Sequence, residues 1–147
     1  MDLSLKLAQL SNKDSALAYK SLLELEALSE TEDALYSYFN DFLDMLDSDK
    51  YVFRVRGFRL LCKQAKWDTE NKIDKAIDAV LHAVDDQKPT AMRQKIKALE
   101  DVARYKRTLR HKIKEKALSI NYIHFNDTMH SLIEHDIRSL MQVIQSE

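Results

Sequence analysis

The stretch Asp49-Lys50-Tyr51-Val52-Phe53-Arg54-Val55-Arg56-Gly57-Phe58-Arg59-Leu60-Leu61 decides the fold of this 147-residue chain, because its apolar positions return at a fixed step. Moved forward by 38 residues, Phe58, Leu60 and Leu61 fall on Ile96, Ala98 and Leu99, and just beyond them Ala65 and Trp67 fall on Ala103 and Tyr105. Moved back by the same step, Val55, Leu60, Leu61 and Ala65 fall on Leu17, Leu22, Leu23 and Ala27. The second half of the unit repeats as well: Leu35, Phe39, Phe42, Leu43 and Leu46 fall on Ile73, Ile77, Val80, Leu81 and Val84, and Asp47 falls on Asp85. Self-similarity at this period marks a repeat whose units cannot each bury an apolar face alone and must stack to do so.

Each unit reads as two helices, in units of about 12–46, 47–84 and 85–118. Asn12 or Asp14 opens the first helix, which runs to about Leu28. Ser29 with Glu32 three residues on reads as a capping box for its partner, which ends near Leu46. The second unit places helices over 51–65 and 70–84, with Asp68 as a cap. The third begins at Pro89, a residue tolerated in a first helical turn, and places helices over 89–104 and 107–118. A final amphipathic helix over 127–145, with Ile133, Ile137, Leu140 and Ile144 on one face, is expected to cap the stack. Leu3, Leu5, Leu7 and Leu10 alternate too briefly to separate an extra turn of helix from a strand-like arm.

Composition agrees with an all-α domain. Gly57 and Pro89 are the only residues of their types, which disfavours hairpin-rich β folds and long linkers, and a 32% charged fraction suits many amphipathic helices with wide solvated faces. Gly57 itself reads either as a point of close helix approach or as a tolerated glycine. No apolar run is long enough to span a membrane, and Met1 to Leu5 carry no basic leader, so a cytoplasmic protein is expected.

The stretch Asp49 to Leu61 and its counterpart Asp86-Gln87-Lys88-Pro89-Thr90-Ala91-Met92-Arg93-Gln94-Lys95-Ile96-Lys97-Ala98-Leu99 resemble the HEAT pattern: an acidic turn, Pro or a substitute, then Val-Arg-like and Ala-Leu-like positions. The likeness to HEAT and armadillo-type proteins covers about residues 12–118 and is weakest in the first unit, which has Ala18, Tyr19 and Lys20 where the Arg is expected. It implies an α-α solenoid of three helix pairs plus the C-terminal cap, with first helices outside, second helices lining a concave surface, and a scaffolding role.

Little in the chain points to catalysis. One glycine excludes phosphate-cradling loops, and no nucleophile elbow or His-Glu-x-x-His occurs. Cys62, the only cysteine, lies within an apolar helical pattern and reads as a core thiol; no disulfide, metal or cofactor is expected. His130 and Glu134 share a helix face, a pairing far commoner as a solvated contact than as a metal site. Trp67-Asp68 raises an enzyme alternative, since HEAT-like DNA-alkylation-repair glycosylases and lyases gather aromatic and acidic residues in their concavity. The repeat instead puts Tyr105 at the Trp67 position, which favours packing for Trp67 and helix capping for Asp68.

Charge is distributed unevenly. Residues 1–50 carry 4 basic and 11 acidic side chains, net −7, while residues 88–116 carry 11 basic and 3 acidic, net +8. Two basic stripes emerge at helical spacing: Arg107, Arg110 and Lys114 (with His111), and Arg56, Arg59 and Lys63 (with Lys66), the latter in a stretch without any acid from 51 to 67. They suggest a non-catalytic interaction module that receives an acidic protein segment, or else a nucleic-acid backbone, with the first stripe as the main contact. The acidic first unit and basic third unit also admit head-to-tail self-association.

Overall fold

Eight α-helices and three short 3-10 segments, without a strand, make up the computed structural model, which covers residues 1–147. In order they are α1 (Leu3–Gln9), α2 (Ser15–Thr31), α3 (Phe39–Met45), α4 (Tyr51–Lys63), α5 (Lys72–His82), α6 (Pro89–Tyr105), α7 (Arg110–Ser119) and α8 (Asp127–Ile144). The 3-10 turns Tyr36–Tyr38 and Arg107–Leu109 lead into α3 and α7, and Gln64–Trp67 tightens the end of α4. Residues 1–10, left open between helix and arm, are helical, and their start is capped by the Asp2 carboxylate on the Leu5 N–H at 3.2 Å.

The starts of the longer helices are local events. Asp14 caps α2 by accepting from the N–H groups of Ala16 and Leu17, and Pro89 occupies the first turn of α6. One turn recurs ahead of three helices, in which a side-chain oxygen accepts the N–H two residues on: Asn12 from Asp14 (2.8 Å), Ser48 from Lys50 (3.2 Å) and Asp86 from Lys88 (3.0 Å). In each case the N–H belongs to the residue just before the helix, so α2, α4 and α6 start from the same kind of turn, at steps of 36 and 38 residues.

The ends of the helices are handled differently. With a single glycine, the left-handed glycine cap that commonly closes a helix is missing, and Asn71 is the only non-glycine residue with positive φ. The late carbonyls are instead taken up by cations and an indole from elsewhere in the chain. Arg56 donates to Leu10 O after α1 (2.6 Å); Trp67 Nε1 and Lys66 Nζ donate to Ser29 O and Glu30 O in the last turn of α2 (2.7 and 2.6 Å). Lys95 donates to Ala83 O after α5 (2.7 Å), and Arg110 serves both Ala103 O in α6 (2.7 Å) and Ile144 O with Ser146 O at the end of α8. Positive charge is also the sign that the helix dipole favours there.

This capping corrects one boundary. Ser29 and Glu32 do not start a helix: α2 continues through Ser29 to Thr31, Ser29 is buried, and Glu32 is the extended residue that ends it. Gln64 Nε2 donates to the Ser29 hydroxyl at 3.2 Å, so α4 and its following turn hold the end of α2 through both side chain and backbone.

The leading helices are neighbours in chain order: α4 lies between α2 and α6, and α6 lies against α8. Helix α3 packs on α4, α7 packs on α6 and α8, and α1 packs on α2. One continuous core joins them, with Phe39 and Phe42 of α3, Phe58 and Leu61 of α4, Ile77 and Val80 of α5, Ile96 and Leu99 of α6, Ile113 of α7, and Ile133 and Leu140 of α8. Each such side chain contributes on the order of 1.5–3 kcal/mol by leaving water. Helix α4 is the innermost: between Tyr51 and Lys63 only Tyr51 is exposed. Of the stripe expected on the outer face of this helix, Arg56 is buried and Arg59 and Lys63 are half-buried.

Gly57 is a point of close approach. A Cβ there would overlap the Cβ of Met45 and stand 2.9 Å from Phe42 O, so the glycine lets α4 press on α3. Thirty-eight residues on, Lys95 takes the place of Gly57 and Ala83 the place of Met45, and the long lysine reaches across to Ala83 O. Small against large in one unit becomes large against small in the next.

Candidate functional site

Placing the basic residues in three dimensions separates the two stripes. Arg56 is buried and bonded to Leu10 O. Arg59 makes a two-pronged contact with Glu26 of α2 (2.6 and 3.0 Å) and reaches Gln94 of α6. Lys63 sits between Glu30 of α2 (2.6 Å) and Asp101 of α6 (3.4 Å). Acids absent from α4 itself thus arrive from both neighbouring helices, and the stripe is an internal ladder along an open trough of about 480 Å³ between α2 and α6. Burial pushes the Asp101 carboxyl up in spite of Lys63, whereas Lys63 is raised because Glu30 and Asp101 outweigh the effect of its own burial.

The α7 stripe is different. Arg110 is half-buried and bonded only to carbonyl oxygens, Arg107 is exposed and donates to Glu147 O, and Lys114 is exposed with no hydrogen bond or ion pair. No side-chain carboxylate pairs with any of the three, although Lys112 and Lys116 on the same helix meet Asp78 (3.8 Å) and Asp85 (2.7 Å). The structure brings Arg107 and Arg110 together at the end of α8 and leaves Lys114 apart on the free face of α7.

Trp67 and Asp68 are absorbed into the framework. The Trp67 indole holds Ser29 O, and Asp68 accepts from the Tyr36 hydroxyl (2.6 Å) and from the N–H groups of Lys72 (2.8 Å) and Ile73 (3.0 Å), capping α5. Lys106 completes the cluster at 3.3 Å from Asp68 and 2.7 Å from Asp74. Burial acts to raise the Asp68 carboxyl, but these donors more than offset it and hold it below its ordinary value; burial and the Asp68 bond together push Tyr36 to about 12.

A second buried cluster gave no signal in the sequence. Asp86, its side chain 1% exposed, is gripped by Lys95 (2.9 Å, likewise 1% exposed), by both prongs of Arg54 (3.2 Å each) and by the Lys88 N–H. Arg54 also holds Ser48 O and Asp49 O, tying the turn before α4 to the turn before α6. Burial acts to raise the Asp86 carboxyl, but the Arg54, Lys88 and Lys95 contacts prevail and bring it to about 2; burial lowers Lys95. Asp86 had been legible only as part of an acidic turn.

Cys62 is fully buried, and burial raises its thiol well above the ordinary range. No group of three or more His, Cys, Asp or Glu side chains is placed to hold a metal ion, and no helix is long and apolar enough to cross a membrane. What fold and side-chain chemistry define is an all-α domain whose buried cations are held by acids or helix-end carbonyls and in which Arg107, Arg110 and Lys114 have no side-chain carboxylate partner. No protein-family model matches the chain, and no curated protein or solved structure is significantly similar to it.

Proposed function

We propose that the chain is a non-catalytic interaction module of HEAT-like type, and that α7 is the face that receives an acidic segment of a partner protein. The observation that carries this reading is that exposed Arg107 and Lys114 and half-buried Arg110, close together in the chain, have no side-chain carboxylate partner, whereas Arg59, Lys63, Arg93 and Lys95 are matched to acids. Unmatched cations on a rigid helix repel one another and attract an anion. The HEAT-like reading is supported by the contacts of α2, α4, α6 and α8 in chain order and by the threefold turn at Asn12, Ser48 and Asp86. A cytoplasmic location goes with it, in keeping with a single, buried cysteine.

The enzyme alternative of DNA-alkylation-repair or lyase type has less support, because Trp67 and Asp68 already spend their polar atoms on Ser29, Tyr36, Lys72 and Ile73. A test of the proposal is fluorescence anisotropy of a glutamate-rich peptide and of duplex DNA with the wild-type protein and the double variant Arg107→Glu/Lys114→Glu. Arg110 is spared because its reversal would strip the caps of α6 and α8. The peptide is expected to lose at least tenfold in affinity in low salt. Equal peptide binding by both proteins would overturn the α7 site, and tighter binding of DNA with a steep log-affinity against log-salt slope would replace the acidic protein by nucleic acid.

A further inference from the structure

The most apolar concavity of the molecule lies far from α7 in charge and in chain position. Helix α1 packs on α2 and α3 packs on α4, and between α1 and α3 a groove of about 640 Å³ remains open. Leu7, Leu10, Tyr38, Phe42, Met45 and Phe53 furnish its apolar lining. Leu10 and Phe42 are sealed beneath it, whereas Leu7, Tyr38, Met45 and Phe53 keep part of their surface in water. Apolar area left in water forgoes about 25 cal/mol per Å² that a covering partner would recover. Met45, flexible and polarisable, is a side chain that adapts to different apolar partners.

Asp41 and Asp44, both on α3, form the rim. Both are exposed and neither is paired with a cation. Asp44 stands in the last turn of α3, where the helix dipole disfavours negative charge, so the fold gains nothing local from it. Lys50 and Arg56 sit over the Phe53 ring at one end (5.3 and 5.6 Å), and Arg56 is buried on Leu10 O. The two unpaired aspartates give the rim a negative field.

We infer that the groove between α1 and α3 is a docking site for a basic amphipathic helix of another protein, whose apolar stripe enters the groove while its Lys or Arg residues meet Asp41 and Asp44. Helix-in-groove recognition of this kind uses anchors at i, i+3, i+4 and i+7. A second copy of the chain does not supply such a helix. The apolar stripes of its basic segment, with Ile96, Leu99, Ile113 and Ala117, are already inside its own core.

The experiment uses a fluorescein-labelled synthetic helix of about 18 residues, with Leu at the anchor positions and Lys on both flanks. Anisotropy with the full chain and ¹³C-methyl NMR of its methionines supply the two readouts. The expected result is saturable binding with a shift of the Met45 methyl, a loss of at least tenfold for Asp41→Lys/Asp44→Lys, and a similar loss for a peptide carrying Glu in place of Lys. Both aspartates are exposed and unpaired, so the double variant folds, and an unchanged melting curve verifies it. No saturable binding, equal binding of the Glu peptide, an unshifted Met45 methyl, or undiminished affinity in the double variant each overturns the site. So does sedimentation showing a dimer that Asp41→Lys/Asp44→Lys dissociates, since the occupant is then a second copy. The α7 variant Arg107→Glu/Lys114→Glu keeps this binding, which separates failure here from failure of the acidic-partner reading.

Discussion

Asp86 shows how far a single buried carboxylate can govern this fold. Its contacts with Lys95, Arg54 and the Lys88 N–H hold two successive turns in register, and removing the charge leaves Lys95 buried without a counter-ion. Asp86→Asn is expected to cost about 3–5 kcal/mol, read by urea denaturation. Its pKa is about 2 when folded against an ordinary 3.8, so the stability it contributes is complete above about pH 4 and disappears as pH falls through 2. The acid limb of the wild-type melting temperature should accordingly be shallower in Asp86→Asn. Gly57 is the other residue on which much rests. In an open helix Gly→Ala gains up to about 1 kcal/mol, but here the new methyl meets Phe42 O and Met45, and a net loss of about 1–3 kcal/mol is expected.

At the scale of elements, starts and ends of helices differ in what specifies them. Asp14 and Pro89 mark starts within a few residues of chain, which is why α2 and α6 begin where the sequence indicates. The end of α2 is set by Lys66 and Trp67, more than thirty residues away, and Ser29 with Glu32 therefore imitated a start that local reasoning had no means to reject. The same asymmetry hid the candidate site: Arg56, Arg59 and Lys63 form a basic stripe by spacing, but the carbonyl of Leu10 and the acids Glu26, Glu30 and Asp101 that occupy them come from other helices. The groove between α1 and α3 was hidden for a further reason, since residues 1–10 gave no decisive period. Trp67→Phe loses the bond to Ser29 O, part of the packed aromatic area and the Lys66 contact over the indole, with an expected cost of at least about 1 kcal/mol. Asp68→Ala uncaps α5 and leaves Asp74 as the one carboxylate on Lys106, so a larger loss of about 2 kcal/mol is expected in the same denaturation assay.

Across the whole molecule, burial is concentrated on α4, which has α2, α3 and α6 around it. Hydrogen exchange should find the α4 amides opening only with global unfolding, while α1 and the last turn of α8 exchange by local fraying. Exchange in α1 as slow as in α4 would contradict this ordering. The paired exchange of sizes between successive units has a further consequence. Gly57 accepts Met45, and Lys95 accepts Ala83, so each helix pair fits only the partner it has. A chimaera that set α4 in the place of α6 would put glycine against Ala83 and leave a void. The reverse graft would drive a lysine into a methionine. Identical modules could be shuffled, lengthened or deleted, whereas these complementary contacts fix the order of the helices that make them, each readable only in its own place.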